Sequence, residues 1–180
     1  MKKIICFIIV LGNFSVSAQT NKEKKKTGGS DHIVSFGVNL PLADFSSTHS
    51  IGFGIGYSPG THVFGLVKNK HFAFTYNGGI AYYPGKKETV SSYPYTYPGY
   101  LFIHAFAGVL YNPASKIDFK LTAGPALGIY NGNTRFNVGA SLEGTYYFNN
   151  AFTIGPSILL MKENKSDPLW AGSLKFGYLF

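Results

Sequence analysis

The stretch that decides the fold is Trp170-Ala-Gly-Ser-Leu174-Lys-Phe176-Gly-Tyr178-Leu-Phe180. Alternate positions from Trp170 to Phe180 are apolar or aromatic, apart from one glycine, and the positions between them are mostly small or polar. Strict alternation over this length predicts a β-strand with one apolar face. An aromatic strand with a free edge invites aggregation in water. We therefore expect it to pair at both edges, in a closed barrel whose apolar face contacts lipid.

Seven earlier segments alternate in the same way, and together they predict an all-β, eight-stranded, antiparallel, up-and-down transmembrane barrel over residues 33–180. The earlier segments are 34–40, 51–57, 72–82, 100–111, 117–129, 136–148 and 152–160. If the amino end is periplasmic, the external loops are 41–50, 84–98, 131–134 and 162–168, and the inner turns are 58–69, 112–116 and 149–151. The turn 58–69 is longer than this topology needs, so we expect it to hold a short extra element or to extend the second strand.

Turn residues and prolines add local detail. Asn131-Gly132 is the strongest short-range signal for a hairpin connection. Pro125 and Pro156 each follow a glycine inside a predicted strand. A closed barrel has no free edge to accommodate the missing N–H, so we expect a bulge or a bend at each proline.

Composition supports a lipid-facing barrel. Aromatic residues make up 17% of the chain, charged residues only 13%, and there are 22 glycines. No window reaches 18 consecutive apolar residues, which excludes helical membrane spans. Many aromatics and glycines with few charges fit strands that alternate between lipid and a narrow lumen.

The amino terminus reads as a secretory signal peptide over residues 1–18. Two lysines follow Met1, residues 4–11 are apolar, and residues 15–18 are small before Gln19. A membrane anchor is the alternative, but residues 4–11 are far shorter than the ~20 apolar residues of a spanning helix. The single cysteine, Cys6, lies inside the predicted signal peptide, so we expect no disulfide and no thiolate metal site in the mature chain.

Residues 19–32 form a basic segment that we expect to be a disordered periplasmic tail. Loss of Lys2 and Lys3 leaves 14 basic against 8 acidic residues, a net charge of +6. Four lysines lie close together in this tail: Lys22, Lys24, Lys25 and Lys26. Such a segment without apolar residues is solvated, with contact to anionic lipid headgroups as the alternative. A secreted chain rarely meets nucleic acid, so we expect no nucleic-acid partner.

Three motifs carry a family resemblance: Gly37-Val-Asn-Leu-Pro-Leu-Ala-Asp44, Thr122-Ala-Gly-Pro-Ala-Leu127 and Phe176-Gly-Tyr-Leu-Phe180. With these motifs the chain resembles the small outer-membrane β-barrel proteins of Gram-negative bacteria, the OmpA/OmpX-like group, and the porin-family "outer membrane protein beta-barrel domain". The resemblance covers residues 33–180 and implies a monomer in the outer-membrane lipid.

The resemblance also implies that the barrel assembly machinery reads the last strand. The residues of this expected assembly signal are Trp170, Phe176, Tyr178 and Phe180. The family shares no single activity, so the resemblance implies no mechanism.

Eight strands enclose a lumen that side chains can fill, so we expect no open pore. The predicted inward charges are Asp118, Lys120, Glu143 and Lys175. We expect Glu143, flanked by Lys120 and Lys175, to form a buried ion network, because unpaired charge in a narrow dry interior is costly. Filling of the lumen is the favoured interpretation, and a proton or ion path is the alternative.

Catalytic ingredients are present in the first external loop. They are Asp44, Ser46, Ser47, His49 and Ser50. A hydrolytic site needs a base within hydrogen-bond reach of its nucleophile, and proximity in sequence does not establish this. His104 shares its strand with no second histidine, so we expect it to be a filler rather than a metal ligand. We expect no catalytic, cofactor or metal site.

The best binding candidate is the Tyr-Pro loop at 93–100. Its tyrosines are Tyr93, Tyr95, Tyr97 and Tyr100. Rigid rings of this kind contact an external saccharide or protein at low entropic cost. The alternative, which the sequence favours, assigns these tyrosines to the outer aromatic girdle.

These observations favour an integral outer-membrane barrel with a structural or surface-interaction role. One alternative is an outer-membrane lipid-modifying enzyme with its site at the external rim. A second is a soluble periplasmic, lipocalin-like barrel in which aromatics line a ligand cavity. That barrel would expose mainly Gly, Ala, Thr and Ser with few charges, which argues against it.

Overall fold

The computed structural model describes residues 32–59, 71–90, 92–163 and 167–180. The predictions for the signal peptide and for the basic tail up to residue 31 lie outside the described residues. Most of the long inner turn, residues 60–69, also lies outside them.

The chain folds into a barrel with one short helix and one accessory hairpin. The strands are β1 (His32–Leu42), β2 (Gly52–Pro59), β3 (Phe72–Tyr83), β4 (Lys87–Val90), β5 (Tyr93–Thr96), β6 (Tyr100–Ala114), β7 (Ile117–Tyr130), β8 (Asn133–Tyr147), β9 (Phe152–Lys162) and β10 (Leu169–Leu179). The helix α1 (Phe45–Thr48) lies between β1 and β2. Around the barrel the order is β1-β2-β3-β6-β7-β8-β9-β10, and β10 pairs with β1. The predicted eight-stranded antiparallel barrel is confirmed.

The seam between β1 and β10 closes the barrel. Their register runs without a break from Ile33 opposite Leu179 to Leu42 opposite Trp170. At the inner rim the His32 N–H donates to the Phe180 carbonyl (3.1 Å), and the Phe180 N–H donates back to the His32 carbonyl (3.0 Å). Closure leaves neither strand with an open edge, which is a requirement inside lipid.

The outward face is apolar around the whole wall, as the alternation predicts. On β1, for example, the exposed side chains are Val34, Phe36, Val38 and Leu40. From Trp170 to Phe180 the outward row of β10 spans ~34 Å along the strand, and at a tilt of ~40° it covers about 26 Å of height. An apolar outside of this height fits a hydrocarbon core, so the lipocalin-like alternative with reversed faces is wrong. Among the described residues, no helix is long and apolar enough to cross a bilayer.

One predicted turn is confirmed and another is shorter than predicted. Asn131 (φ 50°) and Gly132 (φ 75°) both adopt positive φ, which confirms the tight hairpin between β7 and β8. The turn predicted at 112–116 is shorter than expected, because β6 continues to Ala114, which pairs with Ile117. A register shift between Tyr111 and Ala114 absorbs the intervening residues.

Of the bulge or bend expected at each proline, the bulge is wrong. The register is unchanged through Pro125 on both sides and through Pro156 on both sides. Instead, two consecutive residue pairs are missing from one of the two ladders at each proline. The interrupted ladder is the one between β6 and β7 at Pro125 and the one between β8 and β9 at Pro156. The missing N–H thus interrupts one ladder locally, and the neighbouring rows hold the strands in register.

The predicted loop 84–98 contains a hairpin that the sequence did not reveal. Its strands β4 and β5 pair from Lys87 opposite Thr96 to Val90 opposite Tyr93. The two strands have only four residues each, and Pro94 lies inside β5, which argues against a strand in a sequence reading. The hairpin is separate from the barrel sheet.

Lipid exposure of the wall predicts a depth-dependent cost for charge. Leu174 lies midway along β10, outward, opposite Val38, whereas Ile51 lies exposed just before β2 at the external rim. We expect Leu174→Arg to lower the unfolding free energy by about 2–4 kcal/mol and Ile51→Arg by at most about 1 kcal/mol. Urea unfolding of the barrel refolded in lipid vesicles measures both. Equal losses at the two positions would show that the wall does not face a bilayer.

Candidate functional site

Glu143 on β8 is the centre of the polar inner half of the lumen. Lys120 lies directly opposite it on β7, and the Lys120 Nζ is 3.8 Å from Glu143 Oε1. Lys175 on β10 donates a hydrogen bond from Nζ to Glu143 Oε2. The Thr145 hydroxyl also donates to Glu143 Oε1 (3.3 Å). Three of the four predicted lumen charges therefore come together in one ion-paired group.

Asp118 lies apart from this group. Its side chain is fully buried, and the Tyr147 hydroxyl donates to its Oδ2 (2.6 Å). Asn112 Nδ2 donates to its Oδ1. Within the described part of the chain it has no ion-pair partner. Its carboxyl oxygens are satisfied by hydrogen bonds instead of by an ion pair.

Short polar side chains link the walls around these charges. Asn77 Nδ2 donates to Thr122 Oγ1 (3.2 Å), and Thr122 Oγ1 is 2.8 Å from Ser141 Oγ. A cavity of about 70 Å³ lies along the lumen, bordered by His104, Glu143 and other polar residues. Its volume accommodates only a few water molecules.

His104 faces the lumen from β6. Its ring lies 5.1 Å from the ring of Phe102 and 4.7 Å from that of Phe106, measured between centroids. Gly79 on β3 makes room for it, because a Cβ there would lie 2.9 Å from His104 Cε1. The described residues contain no cluster of three or more His, Cys, Asp or Glu side chains that could hold a metal ion.

The external half of the lumen is occupied by five buried aromatic side chains, which we call the aromatic plug. Its members are Phe45, Tyr83, Tyr100, Phe102 and Phe106. Phe45 enters the mouth from α1, with its ring 4.9 Å from Tyr83 and 5.7 Å from Tyr100. All five are almost completely buried. The sequence indicated part of the plug, because Tyr100, Phe102 and Phe106 share one face of the fourth predicted segment. Nothing in the sequence indicated that Phe45 would join them.

Tyr100 anchors the last external loop through Glu163. The Tyr100 hydroxyl donates to Glu163 Oε1 (2.6 Å), and Asn137 Nδ2 donates to the same oxygen (3.4 Å). Arg135 Nη1 lies 3.2 Å from Glu163 Oε2. Tyr100 is only 3% exposed. The expectation that it belongs to a loop binding surface or to the outer girdle is wrong, because it points into the mouth.

The first two external loops are joined by backbone hydrogen bonds. The Ser50 N–H donates to the Pro84 carbonyl (2.8 Å), and the Lys86 N–H donates to the Thr48 carbonyl (2.9 Å). His49 and Gly85 form an isolated antiparallel bridge beside them. These bonds hold α1, and with it Phe45, over the mouth of the barrel.

His49 is buried at the base of this junction. Its Nδ1 is 2.8 Å from Thr48 Oγ1, and its ring lies 4.6 Å from Phe45 and 6.0 Å from Tyr130. Burial lowers the pKa of His49, and the nearby Pro98 carbonyl partly offsets this effect. The side chain is therefore held in its neutral form as one wall of the aromatic mouth.

The catalytic arrangement considered for the first external loop is not assembled. Ser46 donates its hydroxyl to the Ala43 carbonyl (2.6 Å), and Ser47 donates to the Asp44 carbonyl (2.6 Å). The side-chain partner of His49 is Thr48. Among the described residues, no hydrogen bond joins the hydroxyl of Ser46, Ser47 or Ser50 to the ring of His49, so the structure shows no nucleophile–base pair in this loop.

Of the other three predicted tyrosines, Tyr93 and Tyr95 lie in β5 and Tyr97 directly follows it. Tyr93 is 77% exposed and Tyr95 46% exposed. The rings of Tyr95 and Tyr97 meet edge to face, 4.9 Å apart. The Tyr97 hydroxyl donates to Glu88 (3.4 Å), and the negative charge of Glu88 raises the pKa of Tyr97. The hairpin that carries these tyrosines forms a sheet of its own beside the barrel sheet.

Comparison with known proteins places the fold. No family model and no curated protein matches the chain. The attachment invasion locus protein Ail of Yersinia pestis is 13% identical, with 84% of this chain and 99% of Ail covered and a TM-score of 0.53. The N-terminal β-barrel domain of Pseudomonas aeruginosa OprF is 13% identical (84% and 98% covered, TM-score 0.51). The outer membrane enzyme PagL is 12% identical (82% and 98% covered, TM-score 0.52).

At these identities the similarity shows the fold alone. This chain has the fold of the small eight-stranded β-barrels of the bacterial outer membrane, and its apolar outward band matches that location. A further structure of Ail is a complex with the heparin analogue sucrose octasulfate. This ligand is a finding about Ail.

Loss of the central carboxylate tests the ion-paired group. We expect Glu143→Gln to lower the unfolding free energy by about 3 kcal/mol, because Lys120 and Lys175 are left in the lumen without a counter-charge. The matched control is Glu88→Gln, an exposed carboxylate whose hydrogen bond from Tyr97 is 3.4 Å long, so we expect a loss of at most about 1 kcal/mol. Urea unfolding in detergent micelles measures both variants. A smaller loss at Glu143 than at Glu88 would contradict the assignment.

Proposed function

We propose that this protein is an integral outer-membrane barrel without a through-pore, which presents a connected set of external loops for surface interaction. The observation that carries the proposal is the filled lumen. The inner half holds the ion-paired group around Glu143, and the external half holds the aromatic plug. A barrel sealed in this way serves as a membrane anchor and scaffold rather than as a conduit.

Filling, rather than a proton or ion path, fits the contacts inside the lumen. Glu143 has two lysine partners, and Asp118 has two hydrogen-bond donors. Carboxylates that are satisfied in this way are held as parts of the wall packing. Above them the five buried aromatic side chains of the plug occupy the lumen, and such an apolar constriction opposes the passage of a hydrated ion.

The external loops support a role in surface interaction. Backbone hydrogen bonds join the first loop to the second, and the buried carboxylate of Glu163 holds the fourth loop against the mouth. Loops fixed on a rigid scaffold are the usual place for recognition residues. The name of Ail, an attachment invasion locus protein, offers a precedent on the same fold.

The lipid-modifying alternative has less support. PagL is named an outer membrane enzyme, so the fold is compatible with catalysis. In this chain, however, Ser46 and Ser47 donate to their own loop backbone. His49 lies inside the mouth instead of facing the lipid or the solvent. No observation on the external rim favours this second function.

Biogenesis supplies the remaining partners of the proposal. The outward aromatic row of β10 is formed by Trp170, Phe176, Tyr178 and Phe180. We assign to this row contact with outer-membrane lipid and recognition by the barrel assembly machinery, and we take the folded protein to be a monomer. An outward, exposed row is accessible to an assembly factor before the strand pairs.

Membrane fractionation combined with conductance tests the proposed function. We expect the protein in the outer-membrane fraction, with a mobility shift between boiled and unboiled samples on SDS gels. In planar lipid bilayers the same unboiled protein gives no stable conductance steps, because the lumen is filled. A soluble periplasmic protein without a gel shift, or a membrane protein with sustained channel openings, would overturn the proposal.

A further inference from the structure

The exposed tyrosines of the hairpin continue the aromatic surface of the mouth outward. Tyr130, at the external end of β7, lies 6.0 Å from His49 and 6.4 Å from Tyr100, between ring centroids. In the hairpin the rings of Tyr95 and Tyr97 lie 4.9 Å apart, and the Tyr97 N–H donates to the carbonyl of Lys86, which is hydrogen-bonded to the first external loop beside the mouth. We call Tyr93, Tyr95, Tyr97 and Tyr130 the tyrosine track.

The track is held in place before any ligand arrives. Pro94 separates Tyr93 from Tyr95 and restricts the backbone between them. The Tyr97 N–H donates to the Lys86 carbonyl (2.9 Å), and Lys86 is in turn hydrogen-bonded to the first external loop. Rings fixed by the backbone lose little conformational freedom on binding, so each contact contributes more to affinity.

The chemistry of the track suits a sugar ring. Each tyrosine offers a flat apolar face and a hydroxyl, which match the C–H face and the hydroxyl groups of a pyranose. Apart from the tyrosines and Pro94, the residues of β4 and β5 are Lys87, Glu88, Thr89, Val90 and Thr96, and all of these except Val90 are polar.

The charge balance indicates a neutral ligand. In the sequence of the external loops and rim the basic residues are Lys86, Lys87, Arg135, Lys162 and Lys165, and the acidic ones are Asp44, Glu88, Glu163 and Asp167. Five basic against four acidic residues leave a net charge of +1. Arg135 is paired with Glu163, and Lys87 is next to Glu88 in the hairpin. A surface with so little net charge gives a polyanion little electrostatic advantage.

We propose that the tyrosine track binds a neutral saccharide chain by stacking of sugar rings on Tyr95 and its neighbours. The proposal rests on the proposed function, since it requires the external loops to face the cell exterior. It assigns recognition to the hairpin and leaves the aromatic plug closed during binding.

Saturation-transfer NMR tests the ligand class directly. The full barrel is refolded in a detergent without sugar headgroups, and its heat-dependent gel shift is verified first. The probes are three neutral polysaccharides, namely dextran, laminarin and galactomannan, with dextran sulfate for comparison. We expect signal transfer to at least one neutral probe and no stronger transfer to dextran sulfate. Absence of transfer to all neutral probes, or binding of dextran sulfate alone, overturns the proposal.

Variants of one tyrosine test the site. We expect Tyr95→Ala to weaken binding of the neutral probe by about tenfold. Tyr95→Phe keeps the ring face, so its affinity stays within about threefold. The control Tyr57→Ala removes an outward ring at the opposite rim and leaves binding unchanged. An unchanged affinity in Tyr95→Ala overturns the proposal.

The gel shift separates the two levels of failure. A barrel that shifts on heating but binds no neutral probe contradicts the saccharide site alone. A chain that does not shift on heating contradicts the proposed function.

Discussion

Closure of β1 against β10 is the constraint on which the rest of the structure depends. In a hydrocarbon layer every unpaired N–H or C=O costs several kcal/mol, so a sheet survives there only if its first and last strands meet. The register from Ile33–Leu179 to Leu42–Trp170 supplies this pairing in an unbroken run. Closure also fixes the two faces of each strand, because a shift by one residue would turn every outward side chain into the lumen. The apolar outside and the polar inside of the barrel therefore both depend on the pairing of β1 with β10.

A closed eight-stranded wall leaves an interior that must be filled, and this chain fills it in two ways. Toward the inner rim, where Lys120 and Glu143 face each other across neighbouring strands, charge is neutralised by charge. Toward the external rim the filling is aromatic, and Phe45 completes it from outside the barrel wall on a helix of four residues. That helix stays in place because the first two external loops share backbone hydrogen bonds. The sealed mouth and the ordered loops thus arise together, which links the packing of the lumen to the proposed surface role.

How far the sequence predicts this structure depends on the contrast between neighbouring positions. Where apolar and small residues alternate cleanly, as in β1, β2 and β10, the face and the strand follow from the pattern. In β6 both faces are apolar, so the sequence pattern does not show which face points into the lumen. For this reason the burial of Tyr100 was missed. Glu163 was missed because its partners, Tyr100 and Asn137, lie 63 and 26 residues away in the chain. At the prolines the sequence predicted a bulge or a bend, and the structure lacks the bulge. The missing N–H of a proline favours a bulge locally, but the residue pairs on either side of Pro125 and Pro156 keep the strands in register.

A cross-link across the closing seam tests the central claim most directly. Val38 and Leu174 are register partners on β1 and β10, and both face outward. In a chain with Cys6 as its only native cysteine, the double variant Val38→Cys/Leu174→Cys is expected to form a disulfide on mild oxidation of the refolded barrel. Val38→Cys/Tyr178→Cys, displaced by four residues or ~14 Å along the strand, is expected not to do so. A disulfide in the displaced pair, or none in the matched pair, would contradict the closure described above.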